Sequence, residues 1–143
     1  MPKFKKILLK LSGEVLAGNQ NHGLNFETVR DFAKNLAEIQ RAGIQLSMVI
    51  GGGNMLRGRD AIEYGLDRVS IDSIGMLGTV MNALAVKAAL ANFDVPAQVL
   101  SAVGMYPIAE LYNREHARDL LNSGHVVLFA AGTPSSRLTQ RRP

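Results

Sequence analysis

The residues in this sequence best suited to bind an anion are three consecutive glycines and an arginine. Residues 51–53 are all glycine and follow an apolar run, residues 46–50, that is typical of a buried strand. Without a Cβ, glycines let the backbone turn sharply and approach a ligand closely. We expect Asn54 to cap a following helix, with Arg57 one turn further on. Such a turn would hold anionic oxygens, although a strand-to-helix turn without a ligand is the alternative.

A second cation, Lys10, ends another apolar run. Residues 5–11 read as a first buried strand that closes in the turn Ser12-Gly13. Open parallel sheets bind their ligands beyond the carboxyl ends of their strands. We therefore expect Lys10 to lie near the triple-glycine turn. An exposed lysine at a strand end, without a role, is the alternative.

The rest of the pattern alternates strands with helices. Helices are predicted to begin at Asn25, at about Ile71 and at Asn113, and strands at residues 5–11, 44–50, 95–100 and 125–131. This order favours an α/β fold with a mainly parallel sheet and helices on both faces, a three-layer sandwich. The turns at 10–13, 51–57 and 132–133 should then meet at one edge and form one site.

The predicted helix at residues 71–92 is apolar on two sides. One stripe is Ile74, Leu77, Met81, Leu84 and Ala88, and the other is Met76, Val80 and Ala83. A helix with two apolar sides is buried by more than its own sheet. A subunit interface and a central position in the domain are equally good explanations.

Composition narrows the classes of protein. The chain of 143 residues suits one domain and has no cysteine, and its three histidines are too far apart to suggest a metal site. No apolar run reaches the length of a membrane span, and the N-terminal one is too short for a signal peptide. We expect a soluble cytoplasmic protein with no membrane partner.

The net charge of +4 does not indicate nucleic-acid binding. The last ten residues hold three arginines and no acid, so the remainder carries 4 − 3 = +1. The basicity belongs to the tail and not to a folded face.

Three segments together resemble a known family. Lys10-Leu11-Ser12-Gly13-Glu14, residues 49–58 and the stretch from Asp72 to Asn82 are similar to bacterial UMP kinases, of the amino-acid kinase fold family. The likeness extends from about residue 5 to residue 133. It implies a three-layer α/β/α sandwich and phosphoryl transfer from ATP to UMP, giving UDP and ADP, in pyrimidine nucleotide biosynthesis. It also implies Mg²⁺ with ATP, and homohexamers built from dimers.

The resemblance also implies roles for individual residues. The residues expected to contact the ATP phosphates are Lys10, Leu11, Ser12, Gly13, Gly53 and Arg57. Lys10 and Arg57 are the expected catalytic cations. Those expected at UMP are Gly52, Asp72 and Thr133, with Asp72 meeting the sugar. The family's allosteric GTP loop would fall on Gly18, Asn19, Gln20, Asn21, His22 and Gly23, which match it only in the two glycines. GTP and UTP are the implied effectors.

The sequence departs from the family after Thr133. At this point the family continues Gly-Asn-Pro-Phe-Phe-Thr-Thr-Asp-Ser-Ala. DNA that encodes the last seven of these residues can be translated one base out of frame. The translation then gives residues 134–141 of this chain. We expect a frameshift, so that residues 1–133 are an N-terminal UMP- and phosphate-binding part and residues 134–143 a disordered tail. The sheet should be incomplete on its C-terminal side, with strand 125–131 at an edge and apolar helix faces uncovered.

The expected truncation leaves three functions open. The chain by itself should be a weak or inactive UMP kinase. It could instead be a non-catalytic lobe that oligomerises or binds UMP, or another phosphotransferase of the same fold. Asp72 disfavours the last, because an acid would repel an amino-acid carboxylate but suits a ribose diol.

Overall fold

The computed structural model describes residues 5–132, which form one parallel sheet flanked by helices. The strands are β1 (Lys6–Leu11), β2 (Gln45–Ile50), β3 (Ala97–Ser101), β4 (Glu110–Leu111) and β5 (Val126–Ala130). The helices are α1 (Phe26–Arg41), α2 (Gly58–Glu63), α3 (Arg68–Ala91) and α4 (Arg114–Asn122), with short 3₁₀ turns at Gly13–Leu16 and Gly18–Gln20. Thr133 and the expected tail lie outside the described residues.

The sheet confirms the predicted α/β class and corrects one expectation about its edges. Within the described chain the strand order is β1-β2-β5-β3-β4, and every neighbouring pair is parallel. The strand expected at an edge, β5, therefore lies in the centre, between β2 and β3. The edges are β1 and the two-residue strand β4, which the sequence pattern did not predict.

Helices cover both faces of the sheet, as predicted. α1 and α3 pack on the face that carries Met48, Val99 and Leu128, all at most 1% exposed. α4 packs on the opposite face, where Leu100 and Val127 are equally buried. The alternation of side chains along each strand thus gives two apolar faces and three layers.

Capping side chains fix where the long helices begin. Asn25 Oδ1 accepts the Thr28 N–H at 2.9 Å, and Asn113 Oδ1 accepts the His116 N–H at 3.0 Å, as the sequence predicted. α3 begins three residues earlier than expected, because Asp67 caps it by accepting the Ser70 N–H at 2.9 Å. Hydrogen bonds from the Ser70 N–H and hydroxyl hold the pKa of Asp67 below its usual value.

Two details of the helices contradict the sequence pattern. α2 is not among the three helices whose starts were predicted above, although Asn54 was expected to cap a helix in this stretch. Phe26 fits the periodicity of the apolar stripe of α1 but is 74% exposed, because it is the first residue of the helix and lies outside the contact with the sheet. Periodicity alone did not locate the end of the buried stripe.

α3 explains why the chain contains a long apolar helix. Among the described residues it is the one helix long and apolar enough to cross a membrane by length and composition, contrary to our expectation that no run approaches that length. A core helix passes the same test, and α3 packs Val80, Val86 and Leu90 on the sheet. Its other stripe is partly exposed, with Leu77 at 49% and Met81 at 51%.

Candidate functional site

The triple-glycine turn packs directly on α3. The Asn82 side chain donates a hydrogen bond from Nδ2 to the Gly51 carbonyl at 2.7 Å. A Cβ on Gly52 would stand 2.8 Å from the Gly75 carbonyl oxygen, closer than real Cβ atoms come. The expected close backbone approach therefore exists, and its partner is a helix. This packing requires glycine at position 52 whether or not a ligand binds.

The turn after β1 lies against the same glycines. The Gly51 N–H donates to the Leu11 carbonyl at 2.9 Å, and Ser12 Oγ accepts the Glu14 N–H at 3.2 Å. Gly13 is buried, and a Cβ there would overlap the Gly51 carbonyl oxygen and the Asn54 side chain. The ends of β1 and β2 are thus in contact, as predicted for one sheet edge.

The end of β5 joins this edge through α3. Thr79 Oγ1 accepts the Ala131 N–H at 2.7 Å and donates to the Met76 carbonyl at 2.6 Å. Ala131 has a left-handed backbone, with φ +57°, and leads into Gly132. The predicted third turn therefore starts beside the other two, although Thr133 itself is not described.

Asn54 has a different role from the one its sequence suggested. It caps no helix, because α2 begins at Gly58 and its N-cap residue is Arg57, which makes no side-chain capping bond. Instead Asn54 is 2% exposed and pairs with Asn82, which is 0% exposed. Sequence analysis missed this pair. A polar residue on the buried side of an apolar helix was the available signal.

Arg57 reaches from the turn to the predicted effector loop. Its Nη2 donates to the Asn21 carbonyl at 3.3 Å and lies 3.8 Å from Glu14 Oε1. The loop is attached to the turn a second time, because the Gly23 N–H donates to the Asn54 carbonyl at 2.7 Å. The structure therefore brings loop 18–23 and the guanidinium together.

Two hollows adjoin the turn. The larger, of about 600 Å³, is lined by Asn21, His22, Gly53, Asn54, Met55, Leu56, Arg57, Asp60, Ala61, Tyr64 and Leu66. The smaller, of about 220 Å³, is lined by Gly51, Gly52, Gly53, Leu56, Gly58, Ile71, Asp72, Gly75 and Thr79. Gly52 and Asp72, expected at UMP, share the smaller hollow. Arg57, expected at ATP, lines the larger, and Gly53 lines both.

Comparison with known proteins identifies the family of the chain. Residues 5–139 match the model of the amino acid kinase family. The chain belongs to that family. The match runs six residues past the boundary expected at Thr133, and that boundary stays a prediction.

Individual relatives narrow the likeness within the amino acid kinase family. The chain is 47% identical to a uridylate kinase of Streptococcus thermophilus over 94% of its own length and 55% of the relative's. It resembles the UMP kinase structure of Bacillus anthracis with a TM-score of 0.87 and 36% identity, over 93% of this chain and 55% of that one. It resembles the UMP kinase structure of Ureaplasma parvum with a TM-score of 0.84 and 31% identity, over 92% of this chain and 58% of that one. An aspartate kinase structure from Synechocystis, with TM-score 0.60 and 22% identity over 86% of this chain and 21% of that one, shares the fold alone. The chain spans about half the length of the uridylate kinase it matches.

Of the residues expected at the ATP phosphates, Lys10, Leu11, Ser12 and Gly13 line neither hollow. Lys10 lies on the strand itself. It is exposed on β1, in register with Val49 of β2, and that register row continues to Phe129 on the face that α4 covers. Arg57 instead lies beside Glu14 and Asn21. Lys10 is next to the last residue of β1, and Arg57 follows the glycine turn after β2.

No group of three or more His, Cys, Asp or Glu side chains that could hold a metal ion occurs between residues 5 and 132. In this part of the chain, His116 is the one histidine close to an acidic side chain, with its Nε2 at 2.8 Å from Glu110 Oε2. The two residues lie on α4 and β4, away from the glycine turn.

Proposed function

We propose that this chain carries the nucleotide-binding edge of a UMP kinase, which transfers a phosphoryl group from ATP to UMP. One observation supports this most directly. Gly52 and Asp72 share one hollow, Arg57 lines the next, and Gly53 lies between them. Two nucleotides that react in line need adjoining sites of this kind. The uridylate kinase relative gives the proposal its substrate.

The chemistry is positioning and charge stabilisation. Phosphoryl transfer needs no protein nucleophile, and cations with backbone N–H groups stabilise the charge on the transferred group. Arg57 can bind phosphate oxygens through two N–H groups at once. The Gly51 N–H is engaged with Leu11, so the contribution of the turn falls to Gly52 and Gly53. Lys10 supplies a second positive charge at the end of β1.

Mg²⁺ belongs to this proposal as the ion that accompanies ATP and neutralises phosphate charge. The carboxylates around the two hollows, Asp60 and Asp72, occur singly. Magnesium sites commonly use one or two carboxylates, several waters and the phosphates themselves. The donor set therefore fits an ion that arrives on the nucleotide.

Assembly and regulation extend the same proposal. The partly exposed stripe of α3, with Leu77 and Met81, is the surface we assign to a second copy in the homohexamer. GTP and UTP are the proposed effectors, and loop 18–23 is their proposed contact. The loop touches Arg57 through Asn21 and the glycine turn through Gly23, so a ligand there could alter the phosphate site.

Binding and turnover test different parts of the proposal. Calorimetry with UMP should detect binding to the full 143-residue chain, and Asp72→Asn should weaken it by about tenfold or more because a charged hydrogen bond to the ribose is worth about 1.5–3 kcal/mol. Asp94→Asn is the matched control, since Asp94 is exposed in a left-handed backbone that asparagine tolerates. A coupled assay for UDP measures turnover, which we expect to be weak.

The outcomes separate the candidate functions. UMP binding without turnover identifies a binding lobe, and phosphorylation of aspartate or acetylglutamate would identify another phosphotransferase. The proposal is wrong if UMP does not bind, or if Asp72→Asn binds UMP as well as the unchanged chain.

A further inference from the structure

We propose that Asn54 and Asn82 form a positioning unit that holds the glycine turn, the Ser12-Gly13 turn and loop 18–23 in one arrangement. The anion affinity of the turn depends on this pair. Neither asparagine is assigned to contact a nucleotide. The inference rests on the proposed function only for the link to anion binding, and the geometry of the pair stands without it.

The two side chains hydrogen-bond to each other in both directions. Asn54 Nδ2 donates to Asn82 Oδ1 at 3.0 Å, and Asn82 Nδ2 donates to Asn54 Oδ1 at 2.7 Å. The second N–H of Asn54 reaches the Gly23 carbonyl at 2.8 Å, and that of Asn82 reaches the Gly51 carbonyl at 2.7 Å. All four amide N–H groups have partners, so the pair is fully satisfied.

The hydrogen bonds join segments that are distant in sequence. Asn82 belongs to α3, Gly51 ends β2, and Gly23 ends the loop that Arg57 also contacts. Asn54 binds Gly23 twice, through its side chain and through its own carbonyl, which accepts the Gly23 N–H. A shift of any one segment therefore breaks bonds to the others.

Gly13 brings the turn after β1 into the same unit. A Cβ there would overlap Asn54 Oδ1 and would lie 2.9 Å from Asn82 Nδ2. The turn that carries Ser12 thus lies directly on the amide pair. Gly51, Gly23 and the Ser12-Gly13 turn are consequently held by one buried contact.

The energetics favour a positioning role. A buried amide loses its hydrogen bonds to water, so it costs free energy unless each polar atom finds a partner. A fully satisfied buried network rigidifies its surroundings and specifies one arrangement. An apolar side chain in place of Asn82 on α3 would fill the same space, but it would hold neither the Gly51 carbonyl nor the Asn54 side chain.

Hydrogen exchange of the full chain tests the unit without a ligand. In Asn82→Ala and Asn54→Ala, amides of residues 12–14, 18–24 and 51–56 should exchange about tenfold faster or more, because each variant removes three side-chain hydrogen bonds that join these segments. Amides of β3 and β5 should not change. Asn92→Ala, at the exposed end of α3, is the matched control and should leave all of them unchanged. Faster exchange spread evenly over the sheet, or confined to α3, overturns the proposal.

Two further measurements keep the test decisive if a variant does not fold. In the unchanged chain, the side-chain NH₂ protons of Asn54 and Asn82 should exchange far more slowly than those of Asn92. Equal exchange rates would show that the two side chains are not paired. Titration with inorganic pyrophosphate should then show about tenfold weaker binding in both alanine variants. If the alanine variants show faster amide exchange in the three segments but bind pyrophosphate as tightly as the unchanged chain, the link to anion binding is wrong. If the unchanged chain binds no pyrophosphate while the exchange pattern appears, the proposed function fails and the positioning unit remains.

Discussion

The α-carbon of Gly52 lies so close to α3 that a Cβ there would stand 2.8 Å from the carbonyl oxygen of Gly75. The same side of the helix carries Gly78, where a Cβ would lie 3.1 Å from the Met55 Cβ. Small residues on both partners therefore let the turn and the helix approach. This approach places Gly52 beside Asp72 at one hollow.

Gly52→Ala and Gly75→Ala should have opposite effects on stability. Gly52→Ala should cost about 1–3 kcal/mol, because the added methyl meets backbone that cannot move aside cheaply. A Cβ on Gly75 meets nothing within 4 Å, so Gly75→Ala should gain up to about 1 kcal/mol from helix propensity. Urea unfolding of both variants measures the difference. Equal stability of the two would show that the close approach is absent.

The face of the sheet opposite α1 and α3 is covered unevenly. Leu100 and Val127 are buried beneath α4, whereas Leu8 on β1 is 54% exposed on the same face. An exposed apolar residue on an edge strand favours association between chains. The exposed apolar residue therefore lies on β1, and the edge that we expected at β5 does not exist.

Leu8→Lys should reduce association of the chain at little cost to its stability. Light scattering at increasing concentration measures the association, and the change in unfolding free energy should stay within about 0.5 kcal/mol, as for other surface substitutions. Leu128→Ala is the contrasting variant. Leu128 is 1% exposed, so truncation should cost about 2–5 kcal/mol. Association unchanged by Leu8→Lys would show that another surface is responsible.

The elements were predictable from local pattern, and their order in the sheet was not. Apolar periodicity and capping residues located α1 and α4, since Asn25 and Asn113 act as predicted. The position of β5 between β2 and β3 depends on pairing across the sheet, which no local pattern encodes. Its continuous apolar sequence is typical of a strand buried on both faces, which is consistent with the central position that the structure gives it.

The candidate site, like the fold, was predictable from the sequence only in part. Gly52, Asp72 and Arg57 could be placed at the turn from their motifs, and the structure puts them at adjoining hollows. The role of Asn54 could not be predicted, because its partner Asn82 lies 28 residues away on α3. A local rule assigned it to the nearest helix, and tertiary packing gave it a buried partner instead.

The start of α3 should respond to acid through Asp67. Its pKa is lowered by hydrogen bonds from Ser70, so the folded chain favours the charged carboxylate. That stabilisation is present above the ordinary carboxyl pKa of about 3.9 and is lost as the pH falls through the lower folded value. Asp67→Asn keeps a capping oxygen but cannot titrate there, so it should flatten the acid limb of a stability–pH curve. An identical acid limb in the two chains would show that Asp67 contributes nothing to it.

Glu14 should compete with bound anions for Arg57. The two side chains are 3.8 Å apart and about half exposed, and such pairs contribute about 0–1 kcal/mol to stability. Glu14→Gln should therefore leave unfolding almost unchanged but raise the affinity for inorganic pyrophosphate several-fold at low salt, because an anion no longer displaces a carboxylate. The gain should shrink as salt screens the charges. Glu38→Gln, on the exposed side of α1, makes the same change in net charge and should have no such effect. If both variants raise the affinity equally, the overall charge of the chain accounts for the gain, and Glu14 has no specific place beside Arg57.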